Sequence, residues 1–149
     1  MPDSAAPTPA PTPAEAIARA CAYLAAMEAR DLDRAASFLS DGARLVFPGG
    51  RVLDGVDAIV ANSGGRYRRV AKRIERREAW DSLGEPGGLR VLIAGTLHGA
   101  WRDGTPFEGI RFIDLFAFQG DRIVSQEVWN DVGERCLAEG RALEGRALA

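Results

Sequence analysis

The sequence predicts an α+β fold in which helices pack on one face of a curved, mostly antiparallel sheet. Helical patterns with capping signals fill the N-terminal half, and long strand patterns separated by short turns fill most of the remainder. The chain has 149 residues, of which 46% are hydrophobic and 27% charged. This length and composition are typical of one globular domain with its own core.

The first helix has a clear start. Thr12, Pro13 and Glu15 are typical of an N-cap, a first helical position and a capping-box partner. The pattern predicts a helix to about Arg30, with Tyr23 beside its apolar stripe. The residues of this stripe are Ile17, Cys21, Leu24 and Met27.

Two shorter helices and two strands are predicted next. A helix over 32–39 is capped by Asp31, and "ARLVFP" follows as a strand that ends at its proline. After a Gly-Gly turn, "RVL" is a short strand, and a third helix runs from Asp54-Gly55 to Gly64-Gly65.

Four long strands complete the prediction. They are "VAKRIERREAW", "LRVLIAGTLHGAW", "PFEGIRFIDLFAF" and "RIVSQEVWN". The Asp103-Gly104 pair between the second and third of these is a strong hairpin signal. Helices first and antiparallel strands afterwards are the order expected of an α+β domain.

The two ends of the chain are predicted to be tails. Residues 1–12 are rich in Ala, Pro and Thr and are expected to be disordered. Residues 13–136 form the single domain, and 137–149 form a C-terminal tail in which Gly-Arg-Ala-Leu occurs twice.

Charge and composition disfavour several classes of function. The net charge of −2 gives no electrostatic case for nucleic acid or an anionic membrane. No apolar run is long enough to span a bilayer, and no signal peptide is recognised, so we expect a cytoplasmic protein. Cys21 and Cys136 are expected to be free thiols, with no metal site and no cofactor. The basic run "RYRRVAKRIERRE" is interpreted as a charged edge strand.

Asp114 is the most informative residue of the chain. It interrupts the apolar strand "RFIDLFAF", although burial of an unpaired carboxylate costs several kcal/mol. Strand alternation places Asp114 on one face with Phe112, Phe116 and Phe118. Three phenylalanines around one acid favour a lined pocket and a raised pKa, whereas a solvent-facing residue paired with Arg111 is the alternative.

The order of the elements resembles the nuclear-transport-factor-two-like superfamily, which includes ketosteroid isomerases and SnoaL-like polyketide cyclases. The matching segments are "AYLAAMEARDLDRAASFLSDGARLVFP", "DGVDAIVA" and "FIDLFAFQGDRIVSQEVWND". The resemblance implies a cone-shaped half-barrel of the cystatin-like type, with an apolar pocket at its open end and a homodimer formed through the sheet face.

The resemblance also implies roles for particular residues. Ketosteroid isomerase holds an enolate oxygen with a tyrosine and a neutral carboxylic acid. Tyr23 and Asp114 match these two groups. The general-base carboxylate would lie just before the proline of the first long strand, where this chain has Phe47. A phenyl ring accepts no proton, so the resemblance extends to oxyanion binding without that base.

Further site residues are predicted around this pair. His98 is the substitute base, because its unperturbed pKa lies near neutrality, although the sequence leaves open which face it occupies. Gln126, Val128 and Asn130 share a face of the last strand and match inward positions of the superfamily. The remaining ligand-binding residues are predicted to be Phe47, Ser63, Phe112 and Phe116.

These observations favour an enzyme acting on a small, apolar and cyclic carbonyl compound through an enolate-like oxyanion, as an isomerase, cyclase or dehydratase. The alternative is a non-catalytic module of the same fold that binds a hydrophobic ligand or serves dimerisation. Nucleic-acid binding ranks last.

Overall fold

The computed structural model describes residues 10–84 and 88–142. Within these ranges the helices are α1 (Pro13–Glu28), α2 (Leu32–Ser37), α3 (Gly55–Gly64) and α4 (Val132–Glu139). The strands are β1 (Leu39–Phe47), β2 (Arg51–Leu53), β3 (Tyr67–Asp81), β4 (Gly88–Trp101), β5 (Pro106–Gln119) and β6 (Arg122–Asn130).

The strands form one curved, unclosed sheet in the order β2-β1-β6-β5-β4-β3. Neighbouring strands run antiparallel except for β1 and β6, which are parallel. Helix α1 packs on β3 and β4, and the core lies between the helices and this face of the sheet. The predicted α+β class, with a mostly antiparallel sheet, is confirmed.

Helix α1 begins as predicted but buries a slightly different face. The side chain of Thr12 accepts a hydrogen bond from the backbone N–H of Glu15 at 3.2 Å. Tyr23, placed beside the stripe by the sequence pattern, is fully buried, whereas Ile17 and Cys21 are half-buried. The small residues Ala16 and Ala20 lie on the buried face and let the helix approach the sheet closely.

Three boundaries differ from the prediction. Helix α2 ends at Ser37, because the carbonyl oxygen of Phe38 accepts a 2.8 Å hydrogen bond from Ile123 and the chain joins β6 as strand β1. Strand β3 starts at Tyr67 and is one of the two edge strands of the sheet, as expected of the basic run. Helix α4 was not predicted and reaches Glu139, beyond the expected end of the domain at residue 136.

The chain ends, the two thiols and membrane spanning were also subjects of prediction. Of the predicted tails, residues 1–9 and 143–149 lie outside the described residues. Cys21 and Cys136 are free thiols. None of the described helices is long and apolar enough to cross a membrane.

Candidate functional site

An apolar cavity of about 110 Å³ lies between the helices and the inner face of the sheet. Every strand from β3 to β6 contributes to its wall, together with α1, α3 and the end of β1. The residues that line it are Tyr23, Leu24, Met27, Glu28, Arg30, Phe47, Pro48, Ile59, Asn62, Ser63, Arg66, Tyr67, Val70, Ala71, Lys72, Leu97, Phe112, Asp114, Gln126, Val128 and Asn130.

Asp114 lies in the middle of the sheet and faces this cavity. It is directly opposite Ile93 on β4 and Val128 on β6, and its exposed fraction is 0%. Within the described part of the chain, neither carboxylate oxygen has a hydrogen-bond partner. Burial raises the pKa of Asp114, and the nearby charge of Lys72 and the side chain of Gln126 oppose this rise.

Lys72 enters the cavity from the edge strand β3. Its Nζ atom lies 3.5 Å from Oδ2 of Asp114 and 5.2 Å from the centre of the Phe112 ring, a cation–π distance. Its side chain is only 26% exposed, and its backbone N–H donates to Oε2 of Glu28 at 3.2 Å. The ammonium group therefore lies near the one fully buried carboxylate of the described residues.

Tyr23 reaches the same region from α1. Its hydroxyl donates a 2.8 Å hydrogen bond to Oε1 of Gln126, and its ring packs edge-on against Phe116 with centroids 5.8 Å apart. Burial and the charge of Asp114 raise the pKa of Tyr23. The hydroxyl therefore stays protonated and can act as a hydrogen-bond donor.

Most of the predicted site residues are close together. Tyr23 and Asp114 share the cavity wall with six of the predicted ligand-binding residues. These six are Phe47, Ser63, Phe112, Gln126, Val128 and Asn130. Phe116 lies behind Tyr23, outside the cavity lining. The alternative partner of Asp114, Arg111, instead binds Asp131 with a contact of 2.6 Å.

His98 is not among the residues that line the cavity, although its neighbour Leu97 is. It is half-buried on β4, opposite Ala71 of the edge strand, and its Nδ1 atom is buried without a partner in the described chain. The structure therefore does not bring the predicted substitute base to Tyr23 and Asp114.

Lys72 is a charged residue of the cavity wall that sequence reasoning missed. The run "RYRRVAKRIERRE" is interpreted from the sequence as a charged edge strand, which gives none of its side chains a place in the cavity. The alternation of side chains along this strand does indicate the position of Lys72. It falls between Val70 and Ile74, which lie on the face that packs against the core. A lysine on the apolar face of an edge strand is therefore a candidate for a buried pair.

The described residues contain no group of three or more His, Cys, Asp or Glu side chains that could hold a metal ion. The groups that the cavity does offer are hydrogen-bond donors, an ammonium and a carboxyl. Such groups suit proton transfer and the binding of an oxyanion.

The bent sheet, the helices against it and the cavity define a protein of the NTF2-like class. Within this class the family can be stated: residues 20–126 match the SnoaL-like domain, and the chain belongs to that family. None of the curated proteins matches the sequence.

Several solved structures share the fold. An NTF2-like protein of unknown function from Burkholderia pseudomallei superposes with a TM-score of 0.67 at 19% identity, covering 83% of this chain and 95% of the other. A candidate SnoaL-like polyketide cyclase from Jannaschia sp. CCS1 gives 0.65 at 15% identity, covering 97% and 99%. TerC, crystallised with polyporic acid, gives 0.65 at 19% identity, covering 84% and 98%.

Proposed function

We propose that the protein is an enzyme that acts on an apolar, cyclic carbonyl compound through an enolate-like oxyanion bound in this cavity. The observation that carries the proposal is the fully buried carboxyl group of Asp114 in the wall of an apolar cavity, where neither oxygen has a hydrogen-bond partner among the described residues. A buried polar group without a partner costs stability, and such groups cluster at functional sites.

The chemistry follows from the donors around the cavity. Burial raises the pKa of Asp114, and once its carboxyl group has taken up a proton it can donate a hydrogen bond to an oxyanion. Tyr23 supplies a second donor from α1 once its hydroxyl turns from Gln126 to the ligand. Phe47, Phe112 and Val128 form apolar surface for a ring system. The reaction needs only the movement of a proton at a carbon next to the carbonyl group.

The family supports the general kind of reaction. SnoaL-like proteins include polyketide cyclases, and one structural neighbour is a candidate member of that group. TerC, a protein of this fold, was co-crystallised with polyporic acid. The isomerase, cyclase or dehydratase outcome depends on the substrate.

Hydrogen exchange tests the proposal without the natural substrate. In D₂O, the wild type should speed the exchange of α-hydrogens in members of a panel of cyclic ketones and enones, measured by NMR. Asp114→Asn should slow this exchange by ~10²–10³-fold, the usual effect of losing one oxyanion donor. Asp57→Asn, an exposed change on α3, is the matched control and should behave as the wild type.

A series of phenols of increasing acidity separates the proposal from its alternative. Phenols resemble an enolate, so an oxyanion site binds them more tightly as their acidity increases. Equal affinity across the series, together with no α-hydrogen exchange, would identify a non-catalytic binding module instead.

We also propose a homodimer formed through the outer face of the sheet. Ile113 and Trp129 are directly opposite each other on β5 and β6, and their exposed fractions are 39% and 52%. Their sequence neighbours Asp114, Val128 and Asn130 line the cavity, so this apolar pair lies on the opposite face. An exposed pair of large apolar side chains is typical of an interface.

A further inference from the structure

Lys72 brings a positive charge to a cavity whose wall is otherwise mostly apolar. The proposed function gives this charge no role. The side chain is three-quarters buried, its Nζ atom lies beside the Phe112 ring, and the carboxylate of Asp114 is 3.5 Å away. Holding a long cationic side chain in this position costs conformational entropy, which an exposed lysine retains.

The pair formed by Lys72 and Asp114 is incompletely coordinated. The N–O distance of 3.5 Å exceeds the roughly 2.7–2.9 Å of a charge-assisted hydrogen bond. Both oxygens of Asp114 lack a hydrogen-bond partner within the described chain, whereas an ammonium group can donate three hydrogen bonds. A hydroxyl group placed beside the pair, within hydrogen-bond distance of both groups, could donate to the carboxylate and accept from the ammonium group.

The other charged groups of the cavity wall are engaged elsewhere. Arg30 donates to the carbonyl oxygen of Met27 at 2.7 Å, and Glu28 accepts the backbone N–H of Lys72. Arg66 lies beside Tyr67, whose pKa is raised to about 12 by burial despite that charge. Tyr23 donates to Gln126. Lys72 and Asp114 are therefore the pair that faces the cavity with capacity for a ligand.

We propose that Lys72 and Asp114 together select ligands that carry an acidic hydroxyl group, such as a phenol or the enol of a 1,3-dicarbonyl compound. On binding, the O–H bond of the ligand breaks and its proton moves to Asp114, which becomes a neutral acid. The ligand oxygen keeps the electron pair and forms an ion pair with the ammonium group of Lys72. Asp114 then donates its new O–H to the same oxygen.

This exchange leaves the net charge of the site unchanged. Before binding, the site holds one ammonium and one carboxylate; afterwards it holds one ammonium and one ligand oxyanion. The carboxylate, which had no hydrogen-bond partner among the described residues, becomes a neutral donor, so its burial costs less. Asp114 thereby accepts the hydroxyl proton of the ligand. The inference rests on the proposed function and adds the substrate class.

The probe for this inference is 4-nitrophenol, whose phenolate absorbs at longer wavelength than the neutral phenol. The experiment is run below the pKa of the free probe, where most of it is neutral. The wild type should bind it with a phenolate spectrum. Lys72→Met, which retains the apolar stem, should bind it about 10- to 100-fold more weakly and as the neutral phenol. Lys72→Arg keeps the charge and should keep the phenolate spectrum.

The matched control is Arg73→Met, which removes one positive charge from an exposed position of the same strand. It should bind the probe as the wild type does. A second readout is the number of protons released to buffer, obtained by calorimetry in buffers of different ionisation enthalpy. The wild type should release none, because Asp114 accepts the proton, whereas Asp114→Asn should release about one per phenolate bound.

The outcomes separate this inference from the proposed function. A wild type that binds 4-nitrophenol only in its neutral form, or a Lys72→Met variant that keeps the phenolate spectrum, would overturn the inference alone. The proposed function, tested by the α-hydrogen exchange that depends on Asp114 and Tyr23, would then remain supported. A wild type that binds no phenol and exchanges no α-hydrogen would overturn both.

Discussion

The hydroxyl of Tyr23 donates a 2.8 Å hydrogen bond to Oε1 of Gln126 and so joins the first helix to the last strand of the sheet inside the cavity. A tyrosine hydroxyl has a single donor proton. Tyr23 must therefore leave Gln126 before it can donate to a ligand, and the two acceptors compete for the same proton.

Tyr23→Phe should separate catalysis from stability. We expect the α-hydrogen exchange rate to fall by ~10²–10³-fold, because one oxyanion donor is lost while the ring still packs on Phe116. The free energy of unfolding, measured in urea, should fall by only about 1 kcal/mol. In a double-mutant cycle with Gln126→Leu, the stability losses should be less than additive, since both changes remove the same bond. Unchanged exchange in Tyr23→Phe would contradict its role as a donor.

The titration of Asp114 should make the protein less stable as the pH rises. Burial raises its pKa in the folded state, whereas the unfolded value is about 3.9. The folded state therefore binds more protons than the unfolded state above that value, and the free energy of unfolding falls until the folded carboxyl also ionises. Urea unfolding from about pH 3 upwards should show this fall in the wild type relative to Asp114→Asn. A difference between the two that does not change with pH would contradict it.

Asp103 gives a contrast of opposite sign. Hydrogen bonds from the backbone of Thr105 and the side chain of Arg141 lower its pKa in the folded state. Its contribution to stability is present above the unfolded value of about 3.9 and is lost as the pH falls. Asp103→Asn should therefore reduce the loss of stability in acid, whereas Asp114→Asn should increase it. Urea unfolding over the same pH range measures both variants. If the free energy of unfolding, relative to the wild type, changed with pH in the same direction for both variants, general charge effects would dominate.

If the homodimer forms through this face, its stability should depend on Trp129. Trp129→Lys places a charge on the outer face of the sheet beside Ile113 and should convert the dimer into a monomer, as measured by sedimentation equilibrium. Leu83→Lys is the control, because Leu83 is 99% exposed in the loop after β3 and is not part of the β5–β6 pair. A wild type that sediments as a monomer at high concentration would contradict the proposed interface.

The sequence predicted the parts of the fold that depend on local patterns. Capping residues fixed the start of α1, and alternation placed Asp114 among buried phenylalanines. Helix α4 was missed because glycines flank and interrupt it at Gly133 and Gly140. Burial of Val132 and Cys136 against the rest of the domain compensates for this weak local preference.

The site was predictable only in part, for a different physical reason. Tyr23 could be identified through the family resemblance, and Asp114 through its apolar neighbours. The place of Lys72 in the site depends on its contact with Asp114, which joins β3 to β5, two strands that are distant in sequence. The charged neighbours of Lys72 made this place hard to recognise from the sequence. The position of His98 also depends on irregular pairing, since the register of β4 against β5 shifts between Leu97 and Gly99.

Gly95 should be essential for the close approach of β3 and β4 at the irregular pairing between Ile74 and Arg76. A Cβ atom at residue 95 would overlap the carbonyl oxygen of Arg73 and lie 3.1 Å from the backbone nitrogen of Glu75, so the strands would have to separate. Gly95→Ala should lower the free energy of unfolding by about 1–3 kcal/mol or more.

Gly133→Ala is the matched control, because a Cβ atom there meets nothing within 4 Å and α4 should gain up to about 1 kcal/mol. Thermal unfolding measures both variants. Lys72 directly precedes Arg73 on the displaced strand, so Gly95→Ala should also weaken 4-nitrophenol binding even where the protein remains folded. A Gly95→Ala variant with unchanged stability and binding would mean that β3 can move away from β4 without carrying Lys72 from Asp114. The position of the ammonium group would then not depend on the packing of this edge strand.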